Sequence, residues 1–138
     1  MTINTPSILC VEDYLDALAW GESIGGLAAL QARADANAKL LFDWIDRTTW
    51  IENLAVDPAT RSNTSVCLRL TARAQEAAIC QRIAARLEEE GVAHDTGAYR
   101  TAPPGLRIWC GSTIEKRDLE LLVPWLDWAY SEVVAALT

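Results

Sequence analysis

Apolar positions along this chain recur at two spacings, and the switches between them mark out the elements. Over 7–24, Val11, Tyr14, Leu15 and Leu18 recur at helical spacing, with Glu12, Asp13 and Asp16 near the start. Pro6 pushes Thr5 out of the helical region, so the residues before it are extended. The pair Gly25-Gly26 ends this helix and frees the backbone to turn. A long helix follows over 27–47, with Leu27, Leu30, Ala34, Leu41, Trp44 and Ile45 as its apolar stripe. A third helix over 72–90 carries Ile79, Ile83 and Leu87 and stops at Gly91. The last, over 114–137, carries Leu119, Leu122, Leu126, Ala129, Val133 and Leu137; Pro124 inside it predicts a kink or a restart.

Period two appears between the helices. Val66, Leu68 and Leu70 share one face of a strand over 65–70. The stretch 103–111, Pro-Pro-Gly-Leu-Arg-Ile-Trp-Cys-Gly, is a short apolar strand with one cation in its middle. Alternation sends Leu106, Ile108 and Cys110 one way and Arg107 and Trp109 the other. The pattern predicts a further strand over 92–99 and allows a short one over 50–56, with the turn formers of 57–63 between. The expected fold class is α+β: a small, mostly antiparallel sheet of three or four strands covered by helices on one side, with a long helix pair at the N-terminus.

Composition narrows the function classes. The 138 residues are enough for one domain with a real core. A net charge of −7 argues against nucleic acid and anionic membrane surfaces. No apolar run reaches the roughly 20 residues of a membrane span, and the start lacks the regions of a signal peptide. Cys10, Cys67, Cys80 and Cys110 are scattered and read as reduced core thiols, so the expected location is cytoplasmic.

Little reactive chemistry is encoded. His94 is the sole histidine and no cysteines cluster, so no metal site is expected. The two lysines, Lys39 and Lys116, lie among carboxylates that favour the charged ammonium, which argues against a catalytic amine. No catalytic residue is therefore expected in this chain. Two binding candidates remain. Arg107 is a guanidinium on a rigid strand beside an aromatic, suited to a planar carboxylate, although spacing alone favours an Arg on a solvated edge-strand face. Asn4 and Thr5 pair an amide and a hydroxyl before a helix, able to bind phosphate oxygens or simply to cap it.

Four stretches in order carry a family resemblance. They are Asn4-Thr5-Pro6-Ser7, Ile24-Gly25-Gly26-Leu27, the run 57–63 (Asp-Pro-Ala-Thr-Arg-Ser-Asn), and Gly105-Leu106-Arg107. With Gly97-Ala98-Tyr99-Arg100 ahead of the Pro-Pro-Gly-Leu-Arg-Ile-Trp stretch, the chain resembles, nearly end to end, the small C-terminal domain of phosphoserine aminotransferases. These are class V, fold-type I enzymes dependent on pyridoxal phosphate. The family pattern usually has a second Pro where Ser7 stands here.

The resemblance implies a homodimeric enzyme exchanging amino groups between glutamate and 3-phosphohydroxypyruvate in serine biosynthesis. It implies that Arg107 grips the substrate α-carboxylate. It implies that Asn4 and Thr5 reach the cofactor phosphate of the neighbouring subunit, and that Arg61 is structural. The Schiff-base lysine and the groups for the substrate phosphate lie upstream in the family. The expectation is a domain that binds no cofactor alone, is not competent by itself, and has its large domain supplied elsewhere. The arrangement would be a cut-out domain, a truncated reading frame or half of a split enzyme. Self-association through exposed apolar surface is also expected. The alternatives are the small domain of another class V aminotransferase, or a stand-alone carboxylate-binding module.

Overall fold

A computed structural model describes residues 5–72 and 74–137. Helices α1 (Ile8–Ser23) and α2 (Gly26–Asp46) precede strand β1 (Ile51–Asn53) and a 3-10 turn at Pro58–Thr60. Strand β2 (Ser65–Leu70), helix α3 (Glu76–Glu89), strand β3 (Leu106–Trp109) and helix α4 (Lys116–Ala135) complete the order. The strands form one antiparallel sheet, β1-β2-β3, pairing Ile51 with Leu70 and Cys67 with Arg107. The α+β expectation holds, with three strands.

Alternation divides the sheet into two faces. Ile51, Val66, Leu68, Leu70, Leu106 and Ile108 point inward and are all buried. They share one core with Leu41 and Trp44 of α2, Ile83 and Leu87 of α3, and Leu126 and Val133 of α4. Two tryptophans are tied into this core by one carboxylate. Asp127 of α4 accepts from Nε1 of Trp44, at 3.2 and 3.3 Å to its two oxygens, and from Nε1 of Trp50 at 2.9 Å. Trp50 also stacks on Tyr130 with ring centroids 4.2 Å apart. A buried indole N–H needs such an acceptor.

Three local expectations change. No strand forms over 92–99: Asp95 has a left-handed φ of 53°, which breaks the extended run. What remains is an isolated bridge between Gly97 and Leu106, plus an Arg107 N–H bond to the Thr96 carbonyl at 2.8 Å. Helix α4 runs through Pro124 without restarting, because Leu119 before it and Leu126 after it are both held in the same core. Helix α1 forms as expected, but its stripe is not buried. It packs against α2, and Val11, Tyr14, Leu15 and Leu18 stay 45–66 % exposed. Leu27, at the start of α2, is exposed as well.

Two glycines make the α1–α2 turn, with φ of 112° at Gly25 and 69° at Gly26. A third is needed for contact. A Cβ at Gly105 would lie 2.0 Å from the Leu68 carbonyl oxygen, so only glycine lets β3 seat against β2. Replacing Gly105 with Ala must push the strands apart. The expected cost is about 1–3 kcal/mol, read as a lower urea midpoint; an unchanged midpoint contradicts this packing.

Candidate functional site

The outward sheet face carries the candidate chemistry. No helix of the described residues covers it: Cys67 is exposed and Trp109 is 51 % exposed. Arg69 of β2 and Glu52 of β1 are cross-strand partners on this face and form an ion pair at 2.9 Å. Arg107 stands opposite Cys67 on the adjoining strand.

Arg107 does not behave as a solvated edge-strand cation. Its side chain is only 12 % exposed. The guanidinium carbon sits 4.3 Å from the centroid of the Tyr99 ring, within cation–π range. Its Nη2 donates to Asp95 Oδ2 at 2.6 Å and to the Asp95 carbonyl at 3.3 Å. Its Nε–H is buried and has no hydrogen-bond partner among the described residues. Unpaired buried donors are uncommon and costly. Nε and Nη2 form one edge of the guanidinium, the edge that a carboxylate engages with two parallel bonds. On this edge one nitrogen is taken by an exposed side chain and the other is idle.

The backbone beneath Arg107 is held from both ends. Leu106, Ile108 and Cys110 are each 2 % exposed or less and fix the strand inward. Beyond Cys110 the chain is clamped to α2. Buried Asn37 donates to the carbonyls of Gly111 (3.3 Å) and Ile114 (2.9 Å). Arg33 donates to the Ser112 carbonyl at 2.8 Å and pairs with Glu115 at 2.6 Å. Arg107 thus projects from a rigid element, as a binding residue must to hold its geometry.

Asn4 is outside the described residues. Thr5 is exposed ahead of α1, and no hydrogen bond or ion pair described joins it to the Arg107 face. The N-cap of α1 is Ser7, whose hydroxyl accepts from the Cys10 N–H at 3.4 Å. Arg61 sits over Phe42 at 5.7 Å and donates to the Ala55 carbonyl at 3.1 Å, bonds that shape its loop. Lys39 pairs with Asp43 at 2.6 Å and Lys116 with Glu120 at 3.5 Å, both on open helix surface. Neither has the desolvated setting a reactive amine needs. Among the described residues no group of three metal-ligating side chains exists, and no helix is long and apolar enough to cross a membrane.

Sequence reasoning missed Asp95 and Tyr99 as neighbours of Arg107, and Asn37 and Arg33 as the clamp. Asp95 falls in a stretch whose apolar pattern reads as strand. Tyr99 lies in the Gly-Ala-Tyr-Arg motif that marked the resemblance, which was its one available signal.

No protein-family model matches the chain. It is 46 % identical over 132 residues to a phosphoserine aminotransferase of Methanosarcina mazei, covering 96 % of this chain and 35 % of that protein. A phosphoserine aminotransferase of Methanosarcina barkeri is 45 % identical over the same shares. The chain therefore spans about a third of the length of these curated relatives. Among solved structures, phosphoserine aminotransferase from Bacillus circulans subsp. alkalophilus superposes with a TM-score of 0.81 at 24 % identity, over 94 % of this chain and 34 % of that one. Pyridoxal-phosphate-bound phosphoserine aminotransferase from Trichomonas vaginalis gives 0.78 at 18 % identity, over 91 % and 34 %. These two likenesses establish the fold.

The thiols give a separate check on the two faces. Burial pushes Cys110, at the inner end of β3, up to about 11. Burial and then the Glu76 carboxylate push Cys80 up to about 12. Both start from 9.0, so the unfolded chain gives up these protons first as pH rises. Their contribution to stability is whole below pH 9 and is lost as pH climbs toward 11 and 12. A falling urea midpoint above pH 9 is expected. Only two of the four are the core thiols expected: Cys80 and Cys110 are buried, whereas Cys10 on α1 and Cys67 on the outward sheet face are exposed. At pH 8 a disulfide reagent is expected to modify Cys10 and Cys67 quickly, and Cys80 and Cys110 only after unfolding. Fast reaction of all four would contradict the core as described.

Proposed function

We infer that this chain, which belongs to the phosphoserine aminotransferase family and corresponds to its small domain, supplies the substrate-carboxylate grip of such an enzyme. The carrying observation is the idle, buried Nε–H of Arg107, beside a nitrogen whose one side-chain partner is the exposed Asp95 carboxylate. In this reading the 138 residues are one domain. A large domain, covalently joined or on a separate chain, meets the open sheet face. The complete enzyme is a cytoplasmic homodimer that moves amino groups between glutamate and 3-phosphohydroxypyruvate in serine biosynthesis.

The chain's own part is binding and orientation. Arg107 takes the α-carboxylate through Nε and Nη2, two parallel charge-assisted bonds. Two contacts fix the plane of the carboxylate as well as its position, so the α-amine is aimed in one direction. The clamp of Asn37 and Arg33 on the loop after β3 keeps that direction constant. Lys39 and Lys116 do not fit a Schiff base with pyridoxal phosphate, so that bond belongs to the large domain. Asn4 and Thr5 are assigned to the cofactor phosphate of the neighbouring subunit, by the family resemblance alone. The exposed stripe of α1 supports an assembly in which large-domain or partner surface covers Val11, Tyr14 and Leu15.

The test is to join this chain to the large domain of the Methanosarcina mazei relative and assay glutamate-dependent transamination. Arg107→Ala is expected to lower kcat/KM for glutamate by about 10²-fold or more, as loss of charged hydrogen bonds predicts. Arg107→Lys, which keeps the charge but not the fork, falls between. Full activity in Arg107→Ala would remove the assignment.

A further inference from the structure

The pairing of Arg107 with Asp95 has its own consequence, which rests on the carboxylate reading above. Asp95 is a carboxylate already seated on the edge of Arg107 where a substrate carboxylate would sit. Its side chain is 86 % exposed and holds on by Oδ2 to one nitrogen only, at 2.6 Å. The residue stands in a loop with φ of 53°, outside any helix or strand. The same loop brings Tyr99 over the guanidinium. Arg107, Tyr99 and Cys67 line a cavity of about 30 Å³, room for one or two waters and not for an amino acid. The Nε–H itself is buried, so a ligand reaches it only once this loop shifts.

We propose that Asp95 is an internal competitor: it occupies Nη2 of Arg107 until an incoming amino- or keto-acid carboxylate displaces it, and so sets the affinity of the site. Displacement exchanges a one-nitrogen contact for a two-nitrogen contact and gives the idle Nε–H its acceptor. The exchange is cheap on the Asp95 side, because an exposed carboxylate returns to water with little loss. It also gives selectivity. A ligand with a single neutral acceptor cannot replace the ion pair and gain from Nε together, whereas a planar carboxylate can.

The experiment is an NMR titration of the 138-residue chain with glutamate as probe, following the ¹⁵Nε–H signal of Arg107. Asp95→Asn removes the charge and keeps a residue that tolerates a left-handed φ. Asp95→Gly removes the side chain altogether and relaxes the backbone. Both are expected to bind glutamate about two- to fivefold more tightly than the unaltered chain, the range for an exposed ion pair. Equal or weaker binding in the two variants, with the Arg107 signal still shifting, would overturn the competitor role and leave the grip intact. Glutamate that binds Arg107→Ala as well as the unaltered chain would instead overturn the grip itself, and the competitor role with it.

Discussion

Two side chains on one face of β3, with Cys110 just beyond its end, decide the position of the cation on the other. Leu106, Ile108 and Cys110 are buried in the core shared by α2, α3 and α4. Strand geometry then leaves Arg107 only the outward face. The close approach at Gly105 sets β3 against β2, and the clamp from Asn37 and Arg33 holds the chain just beyond it. An arginine carries several rotatable bonds, so a fixed backbone alone would not place its charge. Stacking on Tyr99 and the bond to Asp95 complete the restraint.

The same fold leaves two surfaces open. One is the sheet face with Arg107, Arg69, Glu52, Cys67 and Trp109. The other is the apolar stripe of α1, which packs against α2 and otherwise faces water. The chain matches about a third of its relatives' length, and the proposed large domain gives both surfaces a covering partner. The core that holds the domain together is inside it, and on the proposed reading the surfaces that serve the reaction face outward. On this account the chain contributes orientation and charge, and the covalent chemistry lies with residues it does not carry.

Much of this was legible from residue order, for physical reasons that can be named. Period two in 65–70 and 103–111 fixed which side chains point inward, because one face of each strand had to be buried. The stripes of α2, α3 and α4 were legible for the same reason. The α1 stripe reads as helix, but periodicity cannot say whether the covering surface belongs to the same chain. The strand expected over 92–99 failed because one left-handed residue, Asp95, outweighs the apolar pattern around it. Asp95 and Tyr99 were missed at the site because a loop's path over a strand depends on tertiary contacts that no local spacing encodes. The cap of α1 fell to Ser7, two residues beyond Thr5, where the helix geometry places the first free N–H groups.

The most direct test of the account is a crystal structure of the chain joined to a family large domain, with glutamate bound. The account predicts a glutamate carboxylate within hydrogen-bonding distance of both Nε and Nη2 of Arg107, with the Asp95 side chain turned away into solvent. A glutamate held entirely by other residues, with Arg107 still paired to Asp95 and its Nε still without an acceptor, would contradict it.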